Sequence, residues 1–136
     1  MMTAATLRGR FGTAFEWLGV ERAWTRTRGS PTVVVAIVDQ GVQTDHPLLG
    51  PNIHGSNTIQ PPSGDHEIPG THAAGIAAGR ASEADGFSGV APQARILPVR
   101  FGSGEGAQAL DLAHAIEYAV EAGAGVINLS NAGNPA

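Results

Sequence analysis

Cysteine is absent from the sequence, so neither disulfides nor thiol chemistry operate in this chain. Lysine is absent too: all 8 basic residues are arginines, they form no run, and the formal net charge is −4. A nucleic-acid partner is therefore not expected, because phosphate binding needs a concentrated basic surface. No apolar stretch approaches the ~18 residues that cross a bilayer, and Met1 to Val20 carry arginines, Glu16 and only a broken apolar pattern. The expectation is no membrane association and no signal peptide, with the cytoplasm as the default compartment. Repeats, low-complexity tracts and linkers are also missing. What is present, 136 residues with 42% hydrophobic and 15% charged, fits one globular domain rather than a disordered chain. The 19 glycines punctuate apolar segments, as suits an α/β protein with close turns.

Residues 7–27 read as an amphipathic helical region in which Phe11, Phe15, Leu18 and Trp24 are spaced to share a face. Arg28-Gly29-Ser30-Pro31 breaks it. Val33 to Val38 is a continuous apolar run without polar alternation, the pattern of a parallel strand covered on both faces. It ends in Asp39, which puts a carboxylate at the strand's C-terminal tip, the edge of open α/β sheets where ligands gather. Residues 43–70 are rich in Pro, Gly, Asn, Asp and His and predict loops, with one short strand around Ile53 to Ile59. Thr71 to Gly79, nearly all small residues, predicts a helix packed closely on a sheet. Ala94 to Val99 predicts a second strand, followed by a glycine-rich loop from Gly102 to Gly106. Ala107 to Ala122 predicts a helix with Leu110, Ala113, Ile116, Ala119 and Val120 at helical spacing. Gly123 and Gly125 end it, and Val126 to Leu129 predicts a third buried strand. The alternation βαβαβ gives the α/β class, a parallel sheet with flanking helices.

Asp39 and His72 are the candidates for chemistry. Alone, a strand-end aspartate is most simply a turn or helix cap, and a histidine at a helix start is most simply structural. Together, an aspartate at a strand tip and a histidine on a facing helix supply what a nucleophilic hydrolase needs: an imidazole base and a carboxylate that fixes its tautomer. His46, His54, His66 and His114 share no metal-ligand spacing and read as solvent-facing or structural. Neither a metal nor another cofactor is expected.

Several segments in order resemble the subtilisin-like serine proteases, the subtilases. Val34-Val35-Ala36-Ile37-Val38-Asp39-Gln40-Gly41-Val42, running on to His46-Pro47, is similar to their aspartate segment. Gly70-Thr71-His72-Ala73-Ala74-Gly75-Ile76-Ala77-Ala78-Gly79 resembles their histidine segment, with His72 33 positions after Asp39. Gly89-Val90-Ala91-Pro92-Gln93-Ala94 resembles a further block, and Val126-Ile127-Asn128-Leu129-Ser130 the strand entering the substrate-binding segment. The order aspartate before histidine is that of subtilisin, and Trp24 to Gly41 resembles the entry to actinobacterial, mycosin-like members. The resemblance implies the N-terminal half of the subtilisin-like fold, with residues 1–30 as a helical lead-in and 31–136 as a partial peptidase domain. It implies that Asp39 orients, that His72 is the base, and that Ser130, Asn131, Ala132 and Gly133 line an extended substrate backbone, as in β-augmentation. The loop Gly102 to Gly106 would flank that cleft.

The sequence also departs from the family pattern. No serine among Ser30, Ser56, Ser63, Ser82, Ser88, Ser103 and Ser130 has the nucleophile's context. Gln40 stands where a small hydroxyl residue is usual, and Pro69 where the usual His-Gly-Thr-His has its first histidine. Leu48 stands where calcium-binding relatives carry an aspartate, so that metal site is not expected. Three readings follow. The chain is a serine endopeptidase component whose serine comes from a second polypeptide or further sequence; or an inactive half-subtilase that binds peptide or protein; or an α/β enzyme using Asp39 and His72 on a non-peptide substrate. The expected partners are a polypeptide substrate and a second polypeptide, or self-association, covering an open sheet edge.

Overall fold

The computed structural model describes residues 13–55, 69–80, 88–101 and 109–130. Strands β1 (Val34–Asp39), β2 (Arg95–Arg100) and β3 (Val126–Leu129) form a parallel sheet in the order β2-β1-β3. Residues 13–18 are helical and lead through Gly19 into α1 (Val20–Trp24). Two longer helices follow, α2 (Pro69–Ala78) between β1 and β2, and α3 (Ala109–Glu121) between β2 and β3. Among the described residues no helix is long and apolar enough to cross a membrane.

The unbroken apolar run of β1 makes it the central strand. Successive side chains of a strand point to opposite faces, and β1 divides its residues accordingly. Val35 and Ile37 pack with Ala74, Ala78 and Ile96 beneath α2. Val34, Ala36 and Val38 pack with Leu97, Val99, Ala115 and Ala119 beneath α3. Ala36, Ile37 and Val38 are fully enclosed, and burying a side chain such as Ile37 contributes about 1.5–3 kcal/mol.

α2 lies close to the sheet because its inner face is made of Gly70, Ala74 and Ala78, all buried. Its C-terminal end abuts residues 88–91 so tightly that a Cβ on Gly89 would stand 2.6 Å from both the Gly75 carbonyl oxygen and the Gly79 nitrogen. α3 ends as the sequence predicts, at Gly123 with φ 89°, a left-handed conformation that glycine adopts without steric cost.

Four expectations change. Val126–Leu129 is a strand at the predicted residues, but it is not buried: Val126 is 51% and Leu129 46% exposed. β3 has β1 on one side and no strand on the other among the described residues, so its outer flank is open. On α3 the packed face runs through Leu112, Ala115, Ala119 and Ala122, while Ala113 and Val120 face outward. The apolar count alone did not separate these two stripes. In the lead-in, Phe15 meets Trp24 edge-to-face at 6.1 Å, but Leu18 is 75% exposed because Gly19 turns the chain between the two helical pieces. Of the short strand expected around Ile53 to Ile59, Ile53 makes a single parallel bridge to Ile96, and residues 56–59 lie outside the described residues.

Candidate functional site

Asp39 ends β1 on the same parity as Val35 and Ile37, so its side chain emerges on the α2 side of the sheet. It is partly buried, and its Oδ1 accepts the Gln40 backbone N–H at 2.7 Å. Its main-chain carbonyl accepts the Phe101 N–H at 3.1 Å, which pins the end of β2 beside it. Gln40 itself points into solvent.

Beyond Asp39 the chain crosses the first turn of α2. A Cβ on Gly70 would collide with the Gly41 carbonyl oxygen and approach the Asp39 Cβ and the Val42 Cγ2 to 3.1 Å. Two residues later the Gln43 N–H donates to the Thr71 hydroxyl at 2.9 Å. Gly70 and Thr71 therefore fasten the aspartate loop to the helix from adjacent positions, one by close approach and one by a hydrogen bond.

His72 does not share that contact. The inner face of α2 passes through Gly70, Ala74 and Ala78, and a residue two positions from Gly70 is rotated by about 200° at 3.6 residues per turn. His72 accordingly lies on the outer side of the helix and is exposed. Among the described residues no hydrogen bond joins it to Asp39, and such catalytic bonds are often long without substrate and tighten once it binds. The described contacts to the aspartate loop thus run through Gly70 and Thr71, and His72 follows them on the first turn of α2 with its side chain accessible to solvent.

Ser130 follows β3 at the same end of the sheet as Asp39. The register pairs Ile37 with Asn128 and Val38 with Leu129, so Ser130 stands level with Asp39 across a strand spacing of about 4.8 Å. It is exposed, and its hydroxyl accepts from the Asn128 Nδ2 at 2.8 Å. Asn131, Ala132 and Gly133, and the loop Gly102 to Gly106, lie outside the described residues.

Arg100, which the sequence reading passed over, pairs in register with Asp39 at the end of β2. The available signal was symmetry: each of these two buried strands ends in a charged residue at its carboxyl tip. The carboxyl edge on the α2 side therefore brings together Asp39, Arg100, Asn128 and Ser130, an anionic, a cationic and two neutral hydrogen-bonding groups. Such an edge is suited to holding a polar, extended ligand. Among the described residues no cluster of three or more His, Asp or Glu is arranged to hold a metal, and Leu48, at the position considered for calcium, gives its carbonyl to the Arg80 N–H at 2.8 Å.

The comparisons with known proteins agree with this architecture. The model of the subtilase family matches residues 30–135. The thermophilic serine proteinase of Bacillus sp. (strain AK1) is 43% identical over 112 residues, covering 79% of this chain and 28% of that protein. Mycosin-3 of Mycobacterium tuberculosis is 41% identical over 131 residues, covering 83% of this chain and 28% of its own length. Among solved structures, the MycP3 protease from the type VII (ESX-3) secretion system superposes with a TM-score of 0.67 at 36% identity, covering 86% of this chain and 36% of that one. The chain thus spans well under half the length of these relatives.

Proposed function

The chain belongs to the subtilase family, and on that premise we propose that this segment binds extended polypeptide at the carboxyl edge of its sheet, beside Asp39. The observation that carries this reading is the outer flank of β3, open among the described residues, with Ser130 level with Asp39. The aspartate loop runs across the helix's first turn, with Gly41 under Gly70 and Gln43 at Thr71. Pro69 flanks Gly70 on the other side, and its ring carries neither a titratable group nor a hydrogen-bond donor. His72 follows on the same turn of α2 and is exposed. Loss of one member of a Ser-His-Asp triad leaves at most ~10³–10⁴-fold catalysis over water, from binding and the oxyanion hole. Polypeptide binding needs none of the triad. It needs an extended main chain with free donors and acceptors, which β3 and Ser130 offer, with polypeptide, from elsewhere in the protein or from a second molecule, as the partner.

A second reading is supported by Asp39 itself. A carboxylate kept at the strand tip, under a helix shaped to touch it, suits a peptidase component whose serine lies on polypeptide outside these 136 residues.

Labelling the native protein with a fluorophosphonate serine probe, alongside fluorescence-anisotropy titration with extended peptides, separates the two. The binding reading expects peptide affinity to be unchanged by His72→Ala and to fall about fivefold in Ser130→Pro, which deletes a main-chain donor worth about 1 kcal/mol. A labelled serine whose reactivity disappears in His72→Ala would establish the peptidase component instead.

A further inference from the structure

The last turn of a helix leaves carbonyls without intrahelical partners, and at the end of α2 each of them is supplied from elsewhere in the chain. The carbonyls of Ile76 and Ala77 accept the N–H groups of Val90 and Ala91, and the carbonyl of Gly79 accepts that of Gly89, all at 2.8 Å. The remaining one, Ala78, takes a side chain: Asn52 donates to it from Nδ2 at 2.8 Å. The second hydrogen of the same amide goes to the Pro92 carbonyl at 2.7 Å. Asn52 is 4% exposed, so both bonds are shielded from water.

We infer that Asn52 is a positioning residue, which fixes α2 along its own axis and thereby sets the contact between Gly70 and Asp39 at the other end of the helix. A planar amide is the one group of this length that offers two donors in a fixed fork. It joins the end of α2 to Pro92, in the turn that leads through the buried Ala94 into β2. α2 has 10 residues, a rod of about 15 Å, and a shift at its C-terminal end moves its first turn by the same amount. That first turn has no slack, because Gly70 already touches the Gly41 carbonyl oxygen and the Asp39 Cβ region. The inference goes beyond the proposed function, since it concerns the placement of α2 against Asp39 whether the site binds or hydrolyses.

Amide hydrogen exchange on the intact protein tests it independently of any ligand or activity. Asn52→Asp keeps the shape and removes both donors. The Gln43 amide, which is bonded to Thr71 at the far end of α2, is expected to exchange at least ten times faster, while the amides of β1 keep their rates. If Val90 and Ala91 exchange faster but Gln43 does not, Asn52 is only a local brace and the inference fails. An equal acceleration throughout β1 would also overturn it, as general destabilisation. Should Asn52→Asp not fold, Asn52→Ser keeps one donor and is expected to accelerate Gln43 by a smaller factor; an unchanged Gln43 there overturns the inference as well.

Discussion

A methyl group at position 70 has nowhere to go, since it would press on the Gly41 carbonyl oxygen and on the Asp39 and Val42 side chains. Gly70→Ala is therefore expected to cost about 1–3 kcal/mol through overpacking, seen as a lower midpoint in urea unfolding. Gly123 tests the opposite case. Nothing lies within 4 Å of its missing Cβ, but its φ is 89°, so Gly123→Ala should cost about 1 kcal/mol from backbone strain alone. If Gly70→Ala leaves the urea midpoint unchanged, close approach of α2 to the aspartate loop is not what fixes residue 70. Residue type and motif order single out Asp39 and His72 in the sequence, whereas the contacts that hold the aspartate loop to α2, through Gly70 and Thr71, depend on which side of the helix meets the loop, which residue type does not encode.

At the scale of elements, β1 and β3 are both short apolar runs, but they occupy different environments. Ile37 in the central strand is fully buried, whereas Val126 in β3 is 51% exposed. Ile37→Ala is expected to cost about 2–5 kcal/mol by leaving a cavity, and Val126→Ala less than about 1 kcal/mol, both measured as shifts in thermal or denaturant midpoints. A large loss for Val126→Ala would mean that its side chain is covered in the working protein. The strand and helix spans were legible because long apolar runs and glycine stops have few alternatives. The packed face of α3 was not, because Val120 and Ala119 are equally apolar neighbours and only contact with Leu97 and Val99 selects between the two stripes.

Across the whole molecule, the lead-in is tied to the body that carries the site. Trp24 donates from Nε1 to the Val90 carbonyl at 2.7 Å, and the Arg28 guanidinium lies over its ring at 4.5 Å. The Gln93 N–H in turn donates to the Arg28 carbonyl at 3.0 Å. Val90 also caps α2 through Ile76, so the first described helices reach the site helix through one intermediate residue. Trp24→Phe keeps an aromatic side chain, smaller than the indole, and removes the donor, and is expected to cost at least about 1 kcal/mol; an unchanged melting temperature would show that the bond carries no weight.

The sequence by itself determined the α/β class, the three strands to within a residue or so, the subtilase membership, and the placing of Asp39 at a strand tip. These follow from local pattern: apolar runs long enough for a buried strand, glycines at their ends, and motifs in a fixed order. Only the tertiary structure decided that β3 has no strand on its outer flank among the described residues, that Asn52 links α2 to the approach to β2, and that Gly70 and Thr71 are what meet the aspartate loop. Each of those depends on which groups meet across distant parts of the chain, and a helix that turns 100° per residue separates neighbours that the sequence sets side by side.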